Sequence, residues 1–176
     1  MSLWIPESAD HDPTAIPIRF DPREQRMSGI AIHGNTPFSV PFISQITDDL
    51  WTGGCTTGLH LPGEIVHLVS LYPWERYREH GELRSSLYVK MYDSDGQAFE
   101  QVAHIARWVN VCRADGPTLV HCQAGLNRSG LVAATALILD GMAPDLAIRL
   151  LREKRSDAVL CNRHFENWLL REEEAA

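Results

Sequence analysis

The chain has 176 residues, 44% of them hydrophobic and 22% charged, the balance of an ordinary soluble globular protein large enough to bury a core. Its 16 basic and 23 acidic side chains give a formal net charge of -7, a field that repels nucleic acid and anionic lipid and disfavours both as partners. No apolar run is long enough to span a bilayer, and MSLWIPESADHDP lacks the basic-then-apolar pattern of a secretory signal, so the expectation is a cytoplasmic protein with no membrane partner.

Six of the ten prolines fall at or before Pro41, which predicts a largely extended, irregular segment over residues 1–41. That segment still carries Trp4, Ile16, Ile18, Phe20, Ile30, Ile32 and Phe38, too apolar for a free tail. It reads as an arm packed on the body, with a short strand near Ile16 to Phe20.

From Phe42 onward strands and helices alternate. PFISQITDDLWTGG gives two short strands joined by a turn at Asp48 and Asp49, and IVHLVSLY is an apolar run suited to a buried, mostly parallel sheet. A short helix is predicted around WERYREH, then a strand in SLYVKMY and a loop, DSDGQ. An amphipathic helix follows, with Phe99, Val102, Ala106 and Val109 on one face and Ile105 and Cys112 alongside. Gly116 and Pro117 close that unit, TLVHC is the next strand, and helices follow around LVAATALILD and APDLAIRLLREK, the latter with Pro144 in its first turn. Phe165, Trp168 and Leu169 mark a closing helix. This alternation predicts an α/β fold with a central, mostly parallel sheet of about 4–5 strands flanked by helices. The body then spans residues 42–174, behind the arm.

The chemistry concentrates in residues 118–139, TLVHCQAGLNRSGLVAATALIL. A strand ends at Cys122, a tight loop follows, and a helix opens near Arg128. Such a junction points backbone N–H groups and the positive end of the helix dipole into the loop, where an anion binds. Gly125 permits the tight turn, and Arg128 supplies a planar fork matched to two phosphate oxygens. Both the helix end and the guanidinium favour a thiolate at Cys122, a nucleophile aimed at phosphorus.

His121, Cys122, Gly125, Arg128, Ser129 and Gly130 spell H-C-x-x-G-x-x-R-S-G, which resembles the signature of the protein-tyrosine phosphatase superfamily. DDLWTGG, KMYDSDG and LLREKRSDAVLCNRHFENWL resemble the early strand pair, general-acid loop and C-terminal helices of its dual-specificity branch. The resemblance covers roughly residues 42–170. It implies a cofactor-free phosphatase in which Cys122 forms a phosphocysteine, Arg128 and the loop residues Gln123, Ala124, Gly125, Leu126 and Asn127 hold phosphate, and Ser129 helps the sulfur leave. It also implies that His121 orders the loop and that Arg155 packs structurally. Asp93 and Asp95 compete as general acid, and Asp93 is favoured because it follows the strand directly.

The remaining polar residues point to less. The four cysteines, Cys55, Cys112, Cys122 and Cys161, include no C-x-x-C pair, and only Cys122 is followed by arginine at C-x5-R spacing. Cys55 or Cys161 is weighed as a disulfide partner for Cys122 against the alternative of a buried inert thiol, which is favoured. His33, His60, His67, His80, His104 and His164 show no ligand spacing, so no metal is expected. The expected partner is a phosphorylated protein. RNA 5′-phosphate, phosphoinositide and a non-catalytic phosphate-binding role stay open as alternatives, while the absence of lysine in the loop argues against a highly phosphorylated lipid. Rhodanese-type and arsenate-reductase chemistry fit the spacing poorly.

Overall fold

The computed structural model describes residues 12–78 and 81–171; Trp4 and His80 lie outside them. Where the proline count predicts irregular chain, residues 18–41 fold as a three-stranded antiparallel meander, β1 (Ile18–Asp21), β2 (Arg26–Ala31) and β3 (Thr36–Pro41), in the order β1-β2-β3. The prolines of β3, Pro37 and Pro41, sit at exposed positions, while Phe38 and Val40 alternate inward. Met27, Ala31, Phe38 and Val40 join the same buried core as the main sheet. This small sheet is therefore packed as part of the body.

The main sheet contains β4 (Ile43–Gln45), β5 (Leu50–Gly54), β6 (His67–Ser70), β7 (Ser85–Tyr88) and β8 (Thr118–Cys122), in the order β4-β5-β8-β6-β7. Only the β4–β5 pair is antiparallel, as expected of a mostly parallel five-stranded sheet. Every residue of the central β8 is buried, the polar Thr118 and His121 included, as befits a strand covered on both faces. The β4–β5 turn uses both its own chemistry and a distant partner. The Thr47 hydroxyl donates to Asp49, and Arg113 donates to the same Asp49 oxygen at 3.1 and 3.2 Å.

Four helices complete the fold: α1 (Phe99–Arg113), α2 (Arg128–Leu139), α3 (Pro144–Lys154) and α4 (Arg163–Arg171). Residues 128–137 of α2 are buried on all sides, so this helix forms the centre of the molecule, and α1, α3 and α4 pack on it. The helix predicted around WERYREH does not form over its described residues 74–78. Tyr77 is drawn inward instead, its hydroxyl donating to the Gly54 carbonyl, and Arg78 bridges to His60. Tertiary contacts override helix propensity there.

Gly54 pairs with Cys122 and Ser70 with His121, so the C-terminal ends of β5, β6 and β8 finish side by side. The N-terminus of α2 opens immediately beyond them. This is where parallel α/β sheets place their ligand sites.

Candidate active site

Residues 122–128 turn from β8 into α2 with their carbonyls held outward. The Gln123 carbonyl accepts from the Cys55 N–H at 2.9 Å and that of Leu126 from the Leu160 N–H at 3.2 Å. The Ala124 and Gly125 carbonyls accept from Arg155 at 3.0 and 2.5 Å. The described residues contain no cis peptide, and in a trans peptide the N–H points opposite to the C=O. The amides of Ala124, Gly125, Leu126 and Asn127 therefore face the inside of the loop, as an anion cradle requires. Gly125 has φ +71°, and a Cβ there would lie 2.3 Å from the Gly53 carbonyl carbon; only glycine fits this close approach.

Arg155 is buried and donates to four oxygens, adding Pro41 O and Ser44 Oγ, each at 3.0 Å, to the two loop carbonyls. Burial lowers its pKa from the ordinary 12.5 to about 10. It ties β3, β4 and the loop together. The packing role expected of it is a specific one, because it fixes which way the loop amides point.

Cys122 is 2% exposed, and its Sγ lies 3.4 Å from Ser129 Oγ in the first turn of α2. His121 is buried, with Nδ1 3.2 Å from the Cys122 carbonyl and its ring edge-on to Tyr77. Burial, with the Arg128 charge adding to it, pushes its pKa down to about 4. The ring is therefore neutral, and Nδ1–H donates to the loop's first carbonyl.

Arg128 is 3% exposed and lies 5.0 Å over the Tyr72 ring. Its Nη1 donates to Met91 O at 3.1 Å and to Asp12 Oδ2 at 2.7 Å, whereas its buried Nε has no partner among the described residues. Burial works against its charge, but Cys122, Asp93 and Asp12 outweigh that and raise its pKa. A buried guanidinium with a free N–H at the mouth of an amide cradle is built for an oxyanion.

Asp93 follows β7 in the loop toward α1. Its Oδ1 accepts from Asn162 Nδ2 at 2.8 Å and His33 Nε2 at 3.1 Å, and its Oδ2 from Asn127 Nδ2 at 2.8 Å. Burial opposes ionisation, yet these hydrogen bonds outweigh it and hold the carboxyl below the usual carboxylate range. His33 moves the other way, raised chiefly by its hydrogen bond to Asp93. Asp95, two residues on, is exposed.

Of the remaining loop residues, Ala124 and Leu126 are buried in the core. Asn127 and Gln123 use their side chains elsewhere than on phosphate. Asn127 Oδ1 accepts from the Asn162 N–H at 3.0 Å and the Cys161 thiol at 3.5 Å. Gln123 bonds both the N–H and the carbonyl of Ile16. Burial pushes the Cys55 and Cys161 thiols up, which disfavours the thiolate needed for exchange with Cys122.

Sequence reasoning missed His33, Asn162, Tyr72 and Asp12. All but Tyr72 donate to or accept from Asp93 or Arg128, and no spacing in the sequence links them. Of these, His33 lines, with Thr14 and Ile16, a cavity of about 150 Å³ that also takes in Cys122 and Arg128.

The α/β sheet thus ends in a cysteine loop with a buried arginine at the start of the helix that follows. The dual specificity phosphatase catalytic domain model matches residues 67–175, and the chain belongs to that family. A probable protein tyrosine phosphatase type IVA B of Dictyostelium discoideum is 48% identical over 40 residues. That match spans 23% of this chain and 24% of the relative, about a quarter of each.

Among solved structures, human DUSP28 superposes with TM-score 0.59 at 18% identity, covering 77% of this chain and 95% of that one. OH1 from the Orf virus, described as a tyrosine phosphatase with triple substrate specificity, gives 0.57 at 19% identity, covering 74% and 85%. PTPMT1 in complex with PI(5)P gives 0.55 at 15%, covering 77% and 99%. These three share the fold. Among the described residues, no helix is long and apolar enough to cross a membrane.

Proposed function

We propose that this protein hydrolyses phosphomonoesters of proteins through a phosphocysteine on Cys122. The observation that carries the reading is one small cavity lined by Cys122, by Gln123, Ala124, Leu126 and Asn127 of the loop, and by Arg128, whose buried Nε has no partner among the described residues. In the first step, Cys122 attacks phosphorus, Arg128 and the amides of Ala124 to Asn127 hold the equatorial oxygens, and Asp93 protonates the leaving oxygen. In the second, water attacks the phosphocysteine phosphorus as Asp93 takes its proton, the S–P bond breaks to release inorganic phosphate, and the Ser129 hydroxyl, already 3.4 Å from Sγ, donates to the departing thiolate. His121 keeps the loop's first carbonyl turned away. The catalytic unit occupies residues 42–174, and the small sheet of residues 18–41 shares its core.

Asp93 is favoured over the exposed Asp95 because it lines the cavity that holds Cys122 and its side chain is only 16% exposed. The test is hydrolysis of p-nitrophenyl phosphate, with EDTA present, by wild type, Cys122→Ser, Asp93→Asn and Asp95→Asn. Turnover by wild type with Cys122→Ser inactive and Asp93→Asn strongly impaired is the expected result. Loss confined to Asp95→Asn would move the acid by two residues, and turnover by Cys122→Ser would overturn the mechanism. An inactive wild type that binds orthovanadate would identify a phosphate-binding module.

A further inference from the structure

The N-terminal segment reaches the candidate active site at three points along five residues. Asp12, 1% exposed, places Oδ2 2.7 Å from Arg128 Nη1. Thr14 accepts the Asp93 N–H on its hydroxyl at 3.2 Å. Ile16 pairs through both backbone groups with the Gln123 side chain, at 3.0 and 2.8 Å. An amide side chain that bonds the N–H and the carbonyl of one residue recognises main chain and ignores side-chain identity. A carboxylate oxygen at hydrogen-bond distance from the phosphate-binding arginine stands where a phosphate oxygen would stand.

We infer that residues 12–16 lie in the site of a phosphopeptide substrate as an intramolecular pseudosubstrate, and that this site takes phosphoserine. The inference rests on the phosphatase reading for its substrate and on the contacts above for its geometry. Asp12 reaches Arg128 through only two side-chain carbons. Phosphoserine is one bond longer along the same path, so its phosphate enters the cradle with the peptide backbone still near Gln123. Phosphotyrosine holds the backbone a full ring farther out, where Gln123 no longer reaches the residue four positions on. The local turn fits this role. Asp12 Oδ1 accepts from the Thr14 N–H at 2.8 Å and the Thr14 hydroxyl at 2.6 Å, which presents the other carboxylate oxygen to Arg128.

An intramolecular competitor weakens every ligand of the site by one factor and leaves kcat alone, because only the open fraction binds. The test measures the Kd of inorganic phosphate by calorimetry, and p-nitrophenyl phosphate hydrolysis, for wild type, Asp12→Ala and the isosteric Asp12→Asn. Loss of one charge-assisted contact should tighten phosphate and lower KM by the same factor, roughly tenfold for Asp12→Ala, and less for Asp12→Asn. Peptides spanning residues 10–19, with phosphoserine or phosphotyrosine in place of Asp12, are then offered to the Asp12→Ala protein. The phosphoserine peptide should show about tenfold or more higher kcat/KM.

Equal or weaker phosphate affinity in both variants overturns the pseudosubstrate, and so does a fall in kcat, which would make Asp12 a participant in catalysis. A phosphotyrosine peptide that is turned over as well or better overturns the substrate class. Tighter phosphate binding by the variants without turnover of any ester leaves the arm's role standing and refutes the phosphatase reading instead.

Discussion

Arg155 offers a quantitative test of how the loop is held. Its four acceptors are neutral oxygens, those of Pro41, Ser44, Ala124 and Gly125, so no ion pair offsets the cost of burying its charge. The fall from 12.5 to about 10 corresponds to roughly 3 kcal/mol at about 1.4 kcal/mol per pH unit. Arg155→Met relieves that cost and keeps most of the aliphatic volume. It also strips four hydrogen bonds to a charged donor, together worth about 4–8 kcal/mol once replacement by water is allowed for. Hydrogen bonding wins, and the expected net loss is about 1–5 kcal/mol, a large share of an ordinary domain's stability. Urea unfolding measures it directly.

The same change frees the Ala124 and Gly125 carbonyls and with them the amides that follow. The kcat for p-nitrophenyl phosphate should therefore fall about 10–100-fold even where the protein is fully folded. A variant within about 0.5 kcal/mol of wild type would refute the stability argument. Lost stability with an unaltered kcat would refute the loop-orienting role.

Further predictions follow from neighbouring residues. His33→Leu removes the hydrogen bond that does most to lower the Asp93 pKa, so the high-pH limb of kcat/KM should move to higher pH; an unmoved limb would separate His33 from the acid. The same variant tests linkage. The His33 pKa is raised above 6.5, so its contribution to stability is full below pH 6.5 and disappears as pH rises through the folded value, and in His33→Leu the urea midpoint should lose that decline. Ser129→Ala should slow the second step, giving a burst of p-nitrophenol close to one equivalent per enzyme; a uniformly slow reaction without a burst would remove Ser129 from that step. Gly125→Ala, strained at φ +71° and blocked by Gly53, should lose at least ~100-fold in kcat/KM, and near-normal activity would contradict the loop conformation.

Much of the fold was legible because its signals are local. The five-stranded sheet came from apolar runs such as IVHLVSLY and TLVHC, and the anion loop from one contiguous stretch, residues 118–139. Two readings differed for the same reason. Proline content overrode the alternation of Phe38 and Val40, which marks β3, and helix propensity around Trp74 to Arg78 gave way to the long-range anchoring of Tyr77. The residues around Asp93 were illegible in principle. His33, Asn127 and Asn162 come from three separate segments, and nothing in a single sequence reports that folding brings them to one carboxylate. Asp12 gave no signal either, since an aspartate before proline reads as a turn.

The paired carboxylates at this site raise a question of proton supply that electrostatics answers. In the resting arrangement Asp93 is held ionised by three donors, whereas the proposed first step needs it protonated. Asp12 contributes one negative charge beside Arg128. A substrate phosphate that displaces it brings up to two, in the same low-dielectric pocket and facing the same guanidinium. The extra negative charge disfavours ionised Asp93, so its proton affinity rises as substrate arrives. Binding the ester thereby helps protonate the residue that must donate to it. Since kcat/KM reports the free enzyme and kcat the substrate complex, the high-pH limb of kcat should lie above that of kcat/KM. Coincident limbs would mean that the substrate's charge does not reach Asp93, and the proton would then have to come from a different group.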